Sequence, residues 1–329
     1  MLSRCAAVIV FLFCISIFDV AVAAENVPLK LKLGMAGIEP GLSGVWMAKE
    51  KGFFEEEDIT VELVNFNGGS EGIFAVASGD LPVTVVGGPS AARGAAAGLD
   101  IKFVAELLDY LPYSLFVSSK INTPADLAGK RFAITSFGGT TDFVTRLILD
   151  RLKVETGQAS FLLMGDEPNR LAALQADSAD AAVLQPPCST IARKLGFKEL
   201  PGGNAEGISG QQDFLVASGR TLVEHRDMLL RVLRAIIKGS YYFKAHPDEG
   251  RLCVAKYLQI EDPEGLTDTY ETYRKLLTRN GSVNRQGIQR LLDFIGDERS
   301  RAMKPEDLLD LSLVDELEKN GDIERISKQ

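Results

Sequence analysis

Apolar and polar positions alternate along the chain with two different periods. Between residues 29 and 107, short apolar runs alternate with segments whose apolar positions recur at helical spacing. This alternation predicts an α/β fold in which helices connect the strands of parallel-rich sheets. The predicted strands are Leu29–Met35, Ile59–Phe66, Leu81–Gly88 and Ile101–Leu107, and the predicted helices between them are 42–51, 70–78 and 89–97.

Part of this pattern occurs twice. Residues Ala75–Leu99 align without a gap on Ala173–Phe197, 98 positions further along the chain. Each copy contains a helical segment, a polar turn, a short apolar strand and a helix that opens near a proline, Pro89 in the first copy and Pro187 in the second. The repeat predicts two lobes of similar topology, although two alanine-rich segments can also resemble each other by chance.

The last third of the chain has a mostly helical pattern. A continuous apolar stripe at helical spacing follows Thr221, and a strand-like segment, Gln212–Ser218, precedes it. We expect this segment to return to the first lobe and to cover it with helices. The predicted organisation is a first lobe of residues 25–110 and 208–329, a second lobe of residues 111–207, and a hinge near 108–113 and 206–212. Ligands bind such proteins between the lobes, at the carboxyl ends of strands.

The first 24 residues have the pattern of a cleavable signal peptide. Arg4 precedes an apolar run, and Ala21 and Ala23 supply the small residues of a cleavage site. The apolar run is shorter than the roughly 20 residues that a membrane span needs. The sequence therefore predicts an exported, periplasmic protein.

Charge and cysteine content narrow the function classes. The net charge of −9 argues against nucleic acid as a partner.

Only Cys188 and Cys253 follow the predicted signal peptide, and two cysteines do not make a disulfide framework. We expect free thiols because the two residues fall in different predicted lobes, but a disulfide between them stays open at this point.

Few residues are candidates for catalysis. The chain contains neither a Walker phosphate loop nor a G-x-G-x-x-G dinucleotide loop, and the glycine-serine run at Gly41 lacks the spacing of a nucleophile elbow. His225 and His246 have no neighbours at metal-ligand spacing, and Cys188 has no histidine close to it in sequence. We therefore predict no catalytic residue, no metal site and no cofactor.

The predicted strand ends are rich in glycine and small polar residues. Such loops lie at 36–43, 65–70 and 87–90 in the first lobe and at 136–141 and 185–187 in the second. Each loop leads into a helix N-terminus, where free N–H groups and the helix dipole favour an anion. Serine and threonine are also ordinary N-caps, so any single loop is ambiguous. Together the five loops predict a pocket for a small anionic molecule.

Three segments resemble a known family. Residues 46–91, Asn122–Lys130 and Ala173–Pro187 are similar to the ABC-transporter solute-binding proteins for nitrate, aliphatic sulfonates, taurine and thiamine-pyrimidine precursors. The resemblance extends over about residues 31–197. It implies a two-lobed periplasmic-binding-protein fold of the second type. It also implies that the lobes close on a small molecule and that the closed form docks on a membrane permease with a cytoplasmic ATPase.

By position, the loops and the resemblance imply a ligand shell. Its predicted members are Gly41, Leu42, Gly69, Ser70, Pro89, Ser90, Tyr113, Ser136, Phe137, Gly139, Thr140, Thr141 and Gln185. Tyr113 and Phe137 can also stack on a ring of the ligand. The ligand class stays open among nitrate, sulfonates, carboxylates and neutral heteroaromatic molecules, because the motif at Gln185 lacks the aromatic or acidic residue of many sulfonate binders.

We expect a monomeric binding protein that carries out no chemistry of its own. One alternative is an enzyme on the same architecture, such as a pyrimidine-precursor synthase or a thiaminase-like lyase, which would need a reactive cysteine, histidine or lysine in the cleft. Another alternative is a sensor that presents its ligand-bound form to a receptor. The sequence does not separate a sensor from a transport protein, because both use the same closed surface.

Overall fold

The structure is a computed structural model that describes residues 28–155, 157, 159–205, 208 and 212–329. The predicted signal peptide, residues 1–24, lies outside this part of the chain. Within the described residues, no helix is both long and apolar enough to cross a membrane.

The strands of the described residues are β1 (Leu29–Met35), β2 (Ile59–Asn65), β3 (Val83–Val86), β4 (Lys102–Glu106), β5 (Ser114–Val117), β6 (Arg131–Ile134), β7 (Ser160–Leu163), β8 (Ala181–Leu184), β9 (Lys198–Asn204) and β10 (Phe214–Ala217). The strands β1 to β4 and β10 occupy the positions that the apolar runs predict, with small changes in their ends. The described strands form two five-stranded sheets, in the orders β2-β1-β3-β10-β4 and β7-β6-β8-β5-β9.

The two sheets have the same topology. Strands β2, β1 and β3 run parallel in the first sheet, as β7, β6 and β8 do in the second. An antiparallel strand follows in each sheet, β10 between β3 and β4, and β5 between β8 and β9. Each antiparallel strand comes directly after the strands of the other sheet in sequence, so the chain exchanges one strand in each direction. This arrangement confirms the predicted two-lobed α/β fold.

Helices follow most strands and make up most of the chain after β10. They are α1 (Ser43–Glu50), α2 (Gly69–Ser78), α3 (Gly88–Ala96), α4 (Thr140–Arg151), α5 (Glu167–Gln175), α6 (Cys188–Lys194), α7 (Gly219–Glu224), α8 (Arg226–Ala245), α9 (Pro247–Leu258), α10 (Pro263–Leu276), α11 (Arg285–Ile295), α12 (Glu298–Ala302), α13 (Pro305–Leu308), α14 (Ser312–Lys319) and α15 (Asp322–Ser327). The apolar stripe after Thr221 is divided between α7 and α8, because His225 leaves the helical conformation at φ −130°.

The internal repeat corresponds to equivalent elements of the two sheets. Strands β3 and β8 lie 98 positions apart residue for residue, and the helices that follow them, α3 and α6, also end 98 positions apart. The strand predicted at Leu81–Gly88 is shorter than expected, because Gly88 already begins α3 and Pro89 occupies its first turn.

The C-terminal helices contribute to the core that surrounds the first sheet. Trp46 of α1 is fully buried in one apolar cluster with Leu33 of β1 and Ile237 of α8. Helices α1 and α8 approach each other closely at two glycines. A Cβ atom on Gly239 would lie 2.1 Å from the carbonyl oxygen of Gly44, so this crossing requires a residue without a side chain.

The sheet membership supports two lobes, which we propose to comprise residues 25–110 with 208–329 and residues 111–207. The two crossings between the sheets run side by side. The Leu107 N–H donates to the carbonyl oxygen of Asp213 at 2.7 Å, and the Ala205 N–H donates to that of Tyr113 at 2.8 Å. Residues 206, 207 and 209–211 of the predicted hinge lie outside the described part of the chain.

The two cysteines after the predicted signal peptide are not paired with each other. Cys188 lies at the start of α6 and Cys253 lies in α9, and both are free and buried. The expectation of free thiols is therefore correct.

We predict that Gly239→Ala strongly destabilises the protein, because its Cβ would overlap the backbone of α1. Overpacking of this kind costs about 1–3 kcal/mol, and the melting temperature should fall by roughly 2–10 °C. Gly68→Ala is the matched control, since its backbone is extended and a Cβ atom there meets nothing within 4 Å. Equal melting temperatures of the two variants in a thermal unfolding experiment would contradict the close α1–α8 crossing.

Candidate functional site

Loops from the two sheets meet across a cleft. A Cβ atom on Gly87, at the end of β3, would lie 2.2 Å from Oγ1 of Thr140, the first residue of α4. A Cβ atom on Gly138 would lie 2.3 Å from the guanidinium group of Arg93 in α3. β3 and α3 belong to the lobe of the first sheet, and α4 belongs to the lobe of the second sheet. The two lobes are therefore in contact at this end of the cleft.

Three hydroxyl side chains gather where α2, α3 and α4 begin. We name Ser90, Ser136 and Thr140 the hydroxyl cluster. Cβ atoms on Gly69 and Gly139 would lie 2.5 Å and 2.6 Å from the hydroxyl oxygens of Ser90 and Ser136, so these glycines make room for the cluster. The structure thus brings five of the predicted ligand-shell residues into one place.

The loop between β6 and α4 also stabilises itself. The Thr141 hydroxyl accepts a hydrogen bond from the Thr135 N–H at 2.8 Å, and the Asp142 carboxylate accepts one from the Gly138 N–H at 2.8 Å. Gly138 has φ +71°, a conformation that favours glycine. Thr141 and Asp142 therefore shape the loop, while Thr140 faces the other lobe.

The remaining predicted shell residues lie in different surroundings. Ser70 is exposed, Phe137 is 61% exposed, and Leu42 is buried in the first lobe's apolar cluster. Pro89 is buried in the first turn of α3. Gly41, Tyr113 and Gln185 are buried beside a second group of polar side chains, which lies next to the crossings between the lobes.

This second group is acidic. Glu39 follows β1, Glu167 opens α5, and Asp213 precedes β10, and we name these three residues the acidic cluster. Asp213 is 1% exposed, and Gly41 packs directly against its carboxylate. The cluster draws one residue from a lobe-one loop, one from a lobe-two helix and one from a crossing.

Two glutamines connect the acidic cluster to both lobes. The Gln212 Nε2 donates to Oε2 of Glu39 at 2.9 Å, and the Gln185 backbone N–H donates to Oε1 of Glu167 at 2.5 Å. The Tyr273 hydroxyl of α10 donates to Oε1 of Gln185 at 2.7 Å. Because α10 covers the first lobe and Gln185 ends a strand of the second sheet, this last bond joins the lobes.

Burial raises the pKa of every carboxyl group in the acidic cluster. The pKa of Glu167 rises to about 7, and the nearby Glu39 carboxylate adds to this rise. The pKa of Asp213 lies well above its ordinary range because of burial and the adjacent Glu39 carboxylate, and burial likewise raises the pKa of Glu39. Like charges that lie close together in a buried site do not all ionise, so the cluster holds protons near neutral pH.

Arg170 is the cation that faces this cluster. It is 3% exposed, and its charge favours the ionised forms of Glu39 and Glu167. Its Nη1 already donates to Oγ1 of Thr135 at 2.7 Å and to the carbonyl oxygen of Gly165 at 3.1 Å. One guanidinium group thus faces two of the three carboxyl groups, those of Glu39 and Glu167.

Sequence reasoning missed the acidic cluster. Glu39 lies inside one of the strand-end loops, but the predicted ligand shell includes only Gly41 and Leu42 from that loop. Asp213 had a usable signal, since it is an acidic residue at a predicted lobe crossing. Glu167 and Arg170 had none, because an acid in the first turn of a helix and an arginine one turn later are ordinary on any exposed helix.

Ion pairs between α6 and α10 hold the two lobes together outside the cleft. Lys194 of α6 contacts the carboxylates of Asp262 and Glu264 at 2.7 Å and 2.9 Å. Arg193 lies 3.5 Å from the carboxylate of Asp268, which also accepts a hydrogen bond from Thr190. We name this set the α6–α10 latch.

We predict that the protein freed of bound small molecules loses stability as the pH rises from about 4.5 to about 7. Glu167 has a raised pKa in the folded state, so the folded protein holds more protons than the unfolded chain over this range, and a rise in pH favours unfolding. The contribution of Glu167 is on the order of 3 kcal/mol. Glu167→Gln should flatten the dependence, as measured by urea unfolding across this pH range.

Glu261→Gln, at an exposed position between α9 and α10, is the control for this measurement. It should keep the dependence of the wild-type protein. If the unfolding free energy of Glu167→Gln changed with pH as that of the wild-type protein does, burial would not raise the pKa of Glu167, and the prediction would be wrong.

We predict that the double variant Arg193→Ala/Lys194→Ala opens the lobes at low salt. It removes both cations of the α6–α10 latch, whose groups are partly exposed and therefore contribute only modestly and in a salt-dependent way. Small-angle X-ray scattering should give a larger radius of gyration than for the wild-type protein at about 20 mM salt, and no difference near 1 M. Lys120→Ala, which removes an exposed ion pair within the second lobe, is the control. Equal radii at low salt would show that the latch does not hold the lobes.

Comparisons with known proteins agree on one family. A profile of the family described as "NMT1/THI5 like" matches residues 39–250. A putative aliphatic sulfonates-binding protein of Bacillus subtilis (strain 168) is 29% identical over 234 residues, which are 67% of this chain and 68% of the relative.

Solved structures share the fold. The alkanesulfonate-binding protein SsuA from Xanthomonas axonopodis pv. citri, bound to MOPS, has a TM-score of 0.73 at 18% identity and covers 86% of this chain and 99% of its own. The ligand-binding component of an ABC-type import system from Staphylococcus aureus, with zinc bound, has a TM-score of 0.69 at 17% identity and covers 88% of this chain and 98% of its own. The chain belongs to the NMT1/THI5-like family, and its resemblance to the solute-binding proteins of ABC transporters is confirmed.

Proposed function

We propose that this protein is the periplasmic solute-binding component of an ABC import system and that it captures a small molecule between its lobes. The observation that carries the proposal is the buried set of polar groups in the cleft, to which both lobes contribute. Gln212 is 2% exposed, yet its Oε1 accepts no hydrogen bond within the described residues, and the Asp213 carboxyl group, which is 1% exposed, has the carboxyl group of Glu39 as its side-chain hydrogen-bond partner. Buried polar atoms without partners are costly in a protein that has no ligand to satisfy them.

The chemistry of the thiols and imidazoles supports binding over catalysis. Burial raises the pKa of Cys188 to about 12, so its thiol stays protonated and is a poor nucleophile. His246 stacks on Tyr242 of α8, outside the cleft, and His225 lies between α7 and α8. None of these three residues is therefore an activated nucleophile of the kind that the enzyme alternative needs.

Closure of the lobes would couple capture to delivery. The Tyr273–Gln185 hydrogen bond and the α6–α10 latch join groups from opposite lobes, so they form only when the cleft is closed. A ligand that contacts both lobes stabilises this closed form because it binds that form better than the open one. The closed form is then the one that we expect a membrane permease to bind.

The hydroxyl cluster is our proposed site for an anionic group of the ligand. Ser90, Ser136 and Thr140 lie where α3 and α4 begin, and these helix ends favour negative charge. The relatives named for sulfonates agree with such a site.

We predict that a ligand panel identifies at least one molecule that stabilises the protein. The panel comprises nitrate, aliphatic sulfonates, small carboxylates, amines and aminopyrimidines, tested on protein freed of bound molecules by unfolding and refolding. A ligand at a thousand times its dissociation constant adds about 4 kcal/mol, which raises the melting temperature by roughly ten degrees. The proposal fails if no member stabilises the protein and mass spectrometry detects no small molecule on protein isolated from cells.

We predict that Thr140→Val and Thr141→Val have different effects on a ligand found in this way. Thr140→Val removes a hydroxyl that faces the cleft, and the dissociation constant of an anionic ligand should rise about tenfold, as for one lost hydrogen bond to a charged group. Thr141→Val removes the acceptor of the Thr135 N–H and should mainly lower the melting temperature. Calorimetric titration separates the two effects, and unchanged binding by Thr140→Val would refute the anion site.

Cys188→Ala should bind like the wild-type protein.

A further inference from the structure

Carboxyl groups from both lobes meet in the closed cleft. Glu39 lies in the loop after β1 of the first lobe, and Glu167 is the first residue of α5 in the second lobe. The Gln185 side chain forms hydrogen bonds with both carboxyl groups, and its backbone N–H donates to Oε1 of Glu167 at 2.5 Å. The two carboxyl groups thus share one glutamine, and they lie close enough for the charge of Glu39 to oppose the ionisation of Glu167.

A third carboxyl group adjoins Glu39. The carboxyl group of Asp213 forms a side-chain hydrogen bond with that of Glu39. Because an ionised carboxylate has no hydrogen to donate, this bond requires a proton on one of the two groups. Asp213 is 1% exposed, and a Cβ atom on Gly41 would lie 1.8 Å from its Oδ2. The closed cleft therefore holds at least one proton between Glu39 and Asp213.

The carboxyl groups of the acidic cluster outnumber the cation that faces them. The charge of Arg170 favours the ionised forms of Glu39 and Glu167. The same guanidinium group also serves the second lobe, since its Nη1 donates to Thr135 at 2.7 Å and to Gly165 at 3.1 Å. Neighbouring carboxyl groups in a buried site hold protons in preference to ionising together.

We propose that closure of the lobes takes up protons at the acidic cluster, so that a fall in pH closes the cleft. Opening separates Glu39 from Gln185 and Glu167, because these residues belong to different lobes. Water then reaches the carboxyl groups and stabilises their ionised forms. The closed cleft is therefore the protonated state, and the open cleft is the state that loses these protons.

The sign of the pH dependence follows from Glu167. Burial raises its pKa to about 7 in the closed cleft, from an ordinary value of 4.5 that we expect it to regain in the open form. Between these two values the closed form binds more protons than the open form, so closing weakens as the pH rises through this range. The equilibrium constant for closing should fall on the order of a hundredfold across it.

The other titratable groups that face Glu167 do not change charge in this range. Burial and the nearby carboxyl groups raise the pKa values of Tyr113 and Tyr273 well above their ordinary range. Burial likewise raises the pKa of Cys188 to about 12. These three groups keep their protons, and the guanidinium group of Arg170 stays charged. Of the groups that face Glu167, the carboxyl groups alone therefore exchange protons with the solvent near neutral pH.

The consequence for capture rests on the proposed function. A molecule that binds the closed form is captured together with the protons that closure takes up. Its affinity should therefore increase as the surroundings become mildly acidic and decrease above pH 7, where the open form gains. The same linkage would assist release of the molecule when a partner opens the lobes, because the carboxyl groups then return their protons to water.

Small-angle X-ray scattering of the protein without ligand tests the inference. The radius of gyration is measured from about pH 5 to about pH 7.5 at about 20 mM salt, for the wild-type protein and for Arg193→Ala/Lys194→Ala. It should increase with pH, most clearly in the latch variant, whose lobes are held less firmly. Glu167→Gln, introduced into each protein, should keep the compact value throughout. Glu71→Gln, at an exposed position in the first turn of α2, is the matched control and should leave the pH dependence unchanged.

A carboxyl titration by NMR gives a second measurement. With ¹³C-labelled glutamate, the Glu167 signal is identified by its loss in Glu167→Gln, and its midpoint should lie near 7 in the wild-type protein. Glu39→Gln removes the facing charge and should lower this midpoint. A residue with a purely structural role at position 39 would leave the midpoint unchanged.

Three results would overturn the inference. They are a radius of gyration that is independent of pH in both proteins, a pH dependence that survives Glu167→Gln, and a Glu167 midpoint near its ordinary value of 4.5. None of these measurements uses a ligand. Each of these results would therefore leave the proposed binding function intact, which the ligand panel tests separately.

Discussion

The exchange of one strand between the two sheets is the constraint on which the rest of the structure depends. Strand β10 lies antiparallel between β3 and β4 although it follows the strands of the second sheet, and β5 does the converse. The chain must therefore cross between the lobes twice, and the crossings are held together by the hydrogen bond from the Leu107 N–H to the Asp213 carbonyl oxygen. The exchange also directs the carboxyl ends of β1, β3, β6 and β8 towards a shared cleft, so the cleft follows from the topology.

The crossings also determine where buried charge accumulates. Asp213 lies on one crossing and Tyr113 on the other, while Glu39 and Gln185 come from loops of opposite lobes. Closing the lobes therefore brings carboxyl groups together and away from water, which raises their pKa values. A closed cleft without a ligand bears this cost, and a ligand with a suitable group relieves it. Binding and closure are coupled through the same residues, which is the property that a capture protein needs.

The sequence predicted the fold well because the fold depends on local patterns. Apolar runs located β1, β2 and β4 to within one residue, and the repeat at an offset of 98 anticipated two equivalent sheets. The loop chemistry also identified the hydroxyl cluster, since glycine and serine at a strand end leave a visible signal. Helix ends were less accurate, as at His225, where one residue leaves the helical conformation within a continuous apolar stripe.

The acidic cluster could not be predicted in the same way. Glu167 and Arg170 have the sequence context of any solvated helix, and only the packing of α5 against the cleft buries them. Asp213 acquires its role from a carboxylate, Glu39, that lies far from it in sequence. The prediction of an anion site followed from the helix N-termini, glycines and hydroxyls of the strand-end loops, none of which indicates the long-range approach of the carboxyl groups.

A crystal structure of the protein with its natural ligand tests the central claim most directly. Protein isolated from cells with its bound molecule, identified by mass spectrometry, would be crystallised without exchange of the ligand. We expect a closed cleft in which both lobes contact the ligand, with an anionic group of the ligand within about 3.2 Å of the hydroxyl group of Ser90, Ser136 or Thr140. A ligand that contacts one lobe alone, or that lies away from all three hydroxyl groups, would contradict this expectation.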